Sequence, residues 1–336
     1  MTVLSLKGIL MSFLHWFSTS EYGALREDLT RPLQSATKLP CALSQLNPTQ
    51  YLDSDIDWQT ISIIQKQDAS SVLYISALPQ KLAEKYNPKK GLTLLAISQQ
   101  TVQQLNQARQ KLSRNNLCAL ADKSLDSILS CQLWREFEIE TQRPGWISFH
   151  LSNRGVALWL QHVQQDLLCL PAAGSHQDRL HLAGQRLTHA ETNAVWQMQY
   201  TYARCCTLLK LWQETQSDLP ASTDLSWLTD SHQLRVSAPQ ALQLIQTLIA
   251  TADDVFWIPY RWPDRQYALL LKRAARLCQS FDGFYRGCLY GFSQGSSTAG
   301  PLEKQFKARF GLVAATRNLL RVLLCEHFEA PSPASL

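Results

Sequence analysis

Tyr200 and Arg204 stand four residues apart in a segment, Glu191 to Thr215, that carries apolar residues at three- and four-residue steps: Val195, Met198, Tyr202, Cys205, Leu209 and Trp212. Such a pattern predicts one long helix with a buried stripe, on which Tyr200 and Arg204 are surface neighbours. A tyrosine beside an arginine can stack on an unpaired base and grip a phosphate. The same spacing also serves a Tyr–Arg pair that packs a helix crossing. Charge adds a second signal. Between Arg261 and Arg321 there are eleven basic residues and three acidic ones, whereas the whole chain of 336 residues carries only +5. The rest is therefore net acidic, and the basic excess is the footprint expected of phosphate binding, although a solvated helix surface has the same composition. Lys272, Arg273 and Arg276 leave the apolar set Leu270, Leu271, Ala274, Leu277, Phe281 and Phe284, while Arg317 and Arg321 share a face four apart. Tyr285, Arg286, Lys307 and Arg309 complete the candidate RNA-binding set.

Other chemistry finds little support. His176 and His181 lie five apart with no cysteine or acid placed to complete a metal site. Asp53, Asp55 and Asp57 alternate but lack the glycine and distal glutamate of a calcium loop. No Walker loop, dinucleotide fingerprint or G-x-S-x-G run occurs. No metal and no cofactor is expected. The nine cysteines form no C-x-x-C pair, which suggests a reducing cytosol. Cys205 and Cys206 fall within the helical pattern and are expected as buried thiols. The apolar start, Gly8 to Phe17, is short and interrupted by His15, so it is expected as an amphipathic helix, with Met1 or Met11 as the start. No stretch has membrane-spanning length, and a cytoplasmic protein is expected.

The elements that must position these residues fall in two groups. In the first, Ser71–Ser76 suits a strand or a helix start, and Gln80–Tyr86 and Leu92–Leu112 suit helices. Phe137–Glu140 and Trp146–Leu151 alternate around the turn Arg143-Pro144-Gly145, which predicts paired antiparallel strands. Asn153 is expected to cap a helix from Val156 to about Leu168. In the second group, helices are expected over Glu191–Thr215, from Pro239, over Tyr267–Gly287 and over Pro301–Phe328, with a flexible loop at Gly291–Pro301. The fold expected is mainly α: a C-terminal antiparallel helical bundle preceded by a smaller α/β domain. The domain limits are 1–65 unassigned, 66–168 α/β, 169–188 linker and 189–336 bundle.

The second group resembles the C-terminal anticodon-binding (DALR) domain of arginyl-tRNA synthetases. That family carries a Val-Gln-Tyr-Ala-His-Ala-Arg helix, a long helix ending in Phe-Tyr, an Ala-Arg-Leu-type helix and an Ala-Pro terminus. This chain has Met198-Gln199-Tyr200-Thr201-Tyr202-Ala203-Arg204, Phe281-Asp282-Gly283-Phe284-Tyr285, Ala308-Arg309-Phe310-Gly311-Leu312 and Ala330-Pro331 in the same order. It departs at Tyr202, where the family has His, and at Leu336, where it favours Met. Arg143 to Leu151, with Leu78 to Leu105, is similar to the family's N-terminal domain, which contacts the tRNA elbow.

The intervening class I catalytic domain has no counterpart. No histidine has another three residues later, and no Lys-Met-Ser-Lys-Ser-like loop occurs. The segment 169–188 cannot hold a nucleotide-binding sheet, which needs well over ~100 residues. The resemblance therefore implies a non-catalytic tRNA-binding protein rather than a self-contained arginine-tRNA ligase with ATP binding. Its partner would be tRNA, arginine tRNA among the choices, together with a tRNA-modifying or aminoacylating enzyme. Two alternatives stay open: a protein-interaction scaffold anchored by tryptophans such as Trp227, Trp257 and Trp262, and a subunit working in trans with a separate catalytic chain.

Overall fold

The computed structural model describes residues 5–11, 63–67, 72–86, 93–114, 129, 132–165, 189–215, 227–261, 266–289, 301–328 and 330–333. Strands β1 (Ile63–Gln67) and β2 (Val72–Ser76) are followed by helices α1 (Leu78–Tyr86) and α2 (Leu94–Arg114), then β3 (Phe137–Arg143) and β4 (Trp146–Leu151). Next come α3 (Asn153–Gln165), α4 (His189–Thr215), α5 (Pro239–Arg261), α6 (Gln266–Phe284) and α7 (Pro301–Val322). Helices α6 and α7 each end in a π-helical turn, Tyr285–Leu289 and Leu323–His327. The described chain is thus mostly helical, with one small antiparallel sheet. It divides into two compact units, Leu6–Gly155 and Val156–Leu336, the second including Met1–Ser5.

In the first unit the sheet order is β1-β2-β4-β3, antiparallel throughout. The period-two pattern expected around Pro144-Gly145 holds: Phe137 and Ile139 are buried while Glu138 and Glu140 are exposed. Tyr74, Phe149 and Ile139 form one cross-strand row and Val72, Leu151 and Phe137 the next. Trp134 packs on this face, with ring centroids 6.0 Å from Phe137 and 6.4 Å from Phe149. Within the ambiguous run Ser71–Ser76, the described residues Val72–Ser76 form a strand, and Val72, Tyr74 and Ser76 all find buried positions across from β4. Gly145 closes the hairpin at φ +82°, a region that L side chains avoid. Its N–H is held by Ser98 Oγ of α2 at 2.8 Å. Helix α2 also covers the edge strand β3, since Asn106 and Arg109 donate to the Ile139 and Phe137 carbonyls. The cap of α3 differs from expectation. Ser152, not Asn153, accepts from the Gly155 N–H at 3.1 Å, so Ser152 is the N-cap and Asn153 already lies in the helix.

In the second unit α4 packs against α6 and α7, and α5 against α6 and α7. Helices α5 and α6 run antiparallel, because Thr247 meets Ser280 and Asp254 meets Arg273. Helices α4 and α7 are antiparallel too, with Trp212 stacked on Phe310 at one end and Gln199 bonded to the Pro331 carbonyl beyond the other. The apolar sets read from the sequence are buried: Met198, Tyr202 and Cys205 on α4, and Leu270, Leu271, Ala274, Leu277, Phe281 and Phe284 on α6. Pro239 opens α5, where its missing N–H costs nothing. The 169–188 segment, the expected loop up to residue 300, His176, His181 and Asp53 to Asp57 fall outside the described residues. No described helix is long and apolar enough to cross a membrane.

Candidate nucleic-acid interface

Helix α4 presents its aromatic side chains on two faces. Tyr202 points inward, but Trp196 and Tyr200, one turn apart, remain 59% and 44% exposed. Their rings stack at 5.5 Å with 16° between planes. The next residue along this face is Arg204, whose Cζ lies 6.0 Å from the Tyr200 ring and 3.6 Å from the ring of Tyr285. Helix α6 delivers Tyr285 to that position because its apolar stripe buries Phe281 and Phe284, leaving Asp282 and Tyr285 directed toward α4. Asp282 accepts a hydrogen bond from Arg204 Nη1 at 3.3 Å and forms an ion pair with Arg286 Nη2 at 2.6 Å. The result is a continuous surface strip of two stacked rings, a guanidinium laid on a third ring, a carboxylate and a second guanidinium.

Four of the sequence-predicted residues, Tyr200, Arg204, Tyr285 and Arg286, therefore meet. Lys272 and Arg276 are exposed on α6 together with Gln279, Gly283 and Arg286, positions that share one helix face. From Lys272 to Arg286 this face extends roughly 20 Å at the usual helical rise. A side chain at Gly283 would meet nothing within 4 Å, so the face is open at that point.

The remaining basic residues are placed differently. Arg273 turns to α5, where its Nε donates to Asp254 Oδ2 and its Nη2 completes the ion pair. This hydrogen bond and ion pair tie two helices together. Arg309 is buried, and its Nη1 donates to the Cys288 carbonyl at 2.9 Å. Burial lowers its pKa, opposed by the nearby Cys288. That removes it from the phosphate-binding set, because a guanidinium enclosed by its own fold cannot reach a ligand. Arg317 is half-buried and places Nε and Nη2 on Asn318 Oδ1 at 3.1 and 2.9 Å. Arg321 is also half-buried, and both it and Arg317 act on the thiol of Cys206. Lys307 is half-buried on α7.

The thiols behave as core groups. Desolvation raises Cys205 well above its ordinary value and pushes Cys278 up to about 11. Cys206 is raised by burial against the pull of Tyr202 and the two arginines. Tyr202 is likewise raised by desolvation, reinforced by Cys206 and opposed by a hydrogen bond from Ser332. Thiols held protonated are poor nucleophiles and metal ligands. Among the described residues no group of three or more His, Cys, Asp or Glu could hold a metal.

Two residues of the strip were not singled out in the sequence: Trp196 and Asp282. Trp196 was findable, since it precedes Tyr200 by four and interrupts a stripe that already had its full complement of apolar residues. Asp282 was not, because its role depends on α4 and α6 lying side by side. Trp227, a candidate exposed anchor, is buried, and its ring faces Gly311. The Trp257 side chain and Trp262 lie outside what the structure describes. Comparison with known proteins finds no matching family model, no similar curated protein and no similar solved structure.

Proposed function

We propose that the helical unit binds the unpaired loop of an RNA, with tRNA as the class favoured by the arginyl-tRNA synthetase resemblance, and that it does so without catalysing a reaction. The observation that carries this reading is the exposed Trp196–Tyr200 stack running into Arg204 on Tyr285. Two large rings left in water forgo the few kcal/mol that their burial would supply. Exposed aromatic surface of this kind marks a site of interaction. Bases stack on such rings whatever their sequence, and arginines beside them favour the phosphate-bearing strand. Lys272 and Arg276 extend the strip with cations that no ion pair occupies among the described residues. With neither a His-x-Gly-His motif nor a Lys-rich loop in the sequence, the expected action is capture or presentation of the RNA, not aminoacylation.

Fluorescence anisotropy with labelled tRNA and with unstructured RNA of equal length tests this. Trp196→Ala and Tyr200→Ala should each weaken binding by about 1–3 kcal/mol, the value of one base–aromatic stack. Lys272→Gln and Arg276→Gln should each flatten the dependence of log K on log salt by about 1. Equal affinity for tRNA and random RNA at physiological salt rejects the tRNA assignment. A partner that survives RNase treatment while RNA affinity is absent would favour the scaffold alternative, which draws on the same exposed rings.

A further inference from the structure

Within the strip Asp282 is the residue that a simple phosphate-binding surface would not contain. Its carboxylate lies between Arg204 and Arg286 and cancels one of their two positive charges. It would repel any phosphate brought to either guanidinium. Its pair with Arg286 does little to hold the fold. The Asp282 side chain is 40% exposed and that of Arg286 77%, the regime in which ion pairs contribute little to stability. What a half-exposed carboxylate beside stacking surfaces does suit is a base edge rich in N–H donors.

From this geometry we infer that Asp282 and Arg286 read guanine, which deepens the RNA-binding reading and rests on it. An ionised carboxylate offers about four lone-pair positions on two oxygens. Here Oδ1 takes one hydrogen bond from Arg204 and Oδ2 faces Arg286 Nη2 in an ion pair, which leaves acceptor capacity on both. Guanine alone among the four RNA bases has two adjacent N–H donors, N1–H and the N2 amino group, on its Watson–Crick edge. Its O6, next to N1, accepts from a guanidinium. Adenine and cytosine set an unprotonated ring nitrogen beside their amino group, so its lone pair would face the carboxylate. Uracil has one N–H between two carbonyls. The order carboxylate then guanidinium therefore matches guanine and opposes the others. The guanine plane would lie beside the Arg204–Tyr285 layer, since arginine planes and tyrosines both stack on bases. The neighbouring base of the strand would occupy the Tyr200–Trp196 pair. The recognised element is then an unpaired dinucleotide with one fixed guanine.

The test uses the full chain and short uridine oligomers of equal length with one central guanosine, inosine or adenosine, measured by competition against a labelled RNA. Guanosine should bind roughly tenfold or more tightly than adenosine, the discrimination expected of one bidentate contact. Inosine, which lacks only the N2 amino group, should fall between them. Asp282→Asn should erase the guanosine preference, so that the guanosine and adenosine oligomers bind the variant alike. A melting curve of the variant confirms that it is folded, and the base series on the unaltered protein does not depend on the variant. Equal binding of guanosine and adenosine, or a preference that persists in Asp282→Asn, overturns the guanine assignment and leaves RNA binding intact. Failure of every oligomer and of tRNA to bind overturns the RNA reading itself, and the guanine assignment with it.

Discussion

Arg204 and Arg309 carry the same side chain to opposite ends. On α4, Arg204 spreads its guanidinium over Tyr285 at a solvent-facing strip, where a ligand can meet it. On α7, Arg309 follows the buried Ala308 and precedes the buried Leu312 by one turn, and it spends its charge on the Cys288 carbonyl. That bond fixes the π-helical turn Tyr285–Leu289 against α7, and with it the position of Tyr285 and Arg286. Charge counting over Arg261 to Arg321 treats all eleven cations alike, so it could not separate these roles. The separation lies in which face of each helix a residue occupies, and a one-residue difference moves a side chain by about 100° around the helix. Arg309→Met should destabilise the protein by about 1–3 kcal/mol, because the buried carbonyl loses its donor. In urea titration the midpoint should drop. Arg276→Met, on the exposed face, should leave that midpoint within about 0.5 kcal/mol of the parent. A neutral result for Arg309→Met would mean that its hydrogen bond does not order the turn.

Helices were the elements most legible in the sequence, since α4, α5, α6 and α7 each repeat buried residues at three- and four-residue steps over 19 to 27 residues. Short features were not. The cap at Ser152 was misplaced by one residue, because Ser and Asn both suit an N-cap and only the backbone decides between them. The turn 227–235, where Leu228 pairs with Leu234 and Trp227 is buried, gives no periodic signal at all. Trp227 seats against α7 only because Gly311 has no side chain: a Cβ there would stand 2.6 Å from its ring. Gly283 on α6 has no such reason, as its surroundings are open. Two helical glycines thus predict opposite results. Gly283→Ala should stabilise the protein by up to about 1 kcal/mol through helix propensity, whereas Gly311→Ala should cost about 1–3 kcal/mol through overpacking. Thermal melts of the two variants check this. The reading of the α6 face adds a second measurement: Gly283→Ala should weaken RNA binding if the ligand's backbone approaches there, despite the gain in stability.

At the scale of the whole chain, hydrophobic periodicity reports that a helix has a buried side but not what covers it. Helix α3 shows the consequence. It follows β4 directly and was grouped with the sheet, whereas the compact units meet at Gly155 and Val156, so that nearly all of α3 belongs to the helical unit. One tie is specific. Asn318 on α7 is buried, and its Nδ2 donates to the carbonyls of Val163 and Gln164 at 3.2 and 3.4 Å. Those carbonyls lie in the last turn of α3, where helical partners have run out. Asn318 therefore satisfies the end of α3 and depends on it in turn. A fragment of residues 189–336, the bundle as drawn from sequence, would leave this amide buried without its acceptors, at a cost of about 1–3 kcal/mol from that contact alone. A fragment of residues 153–336 keeps the contact. Urea titration should give the longer fragment the higher midpoint, and Asn318→Ala should lower the midpoint of the longer fragment while changing the shorter one little. Equal stability of the two fragments would show that α3 is a passive connection, and that the bundle closes without it.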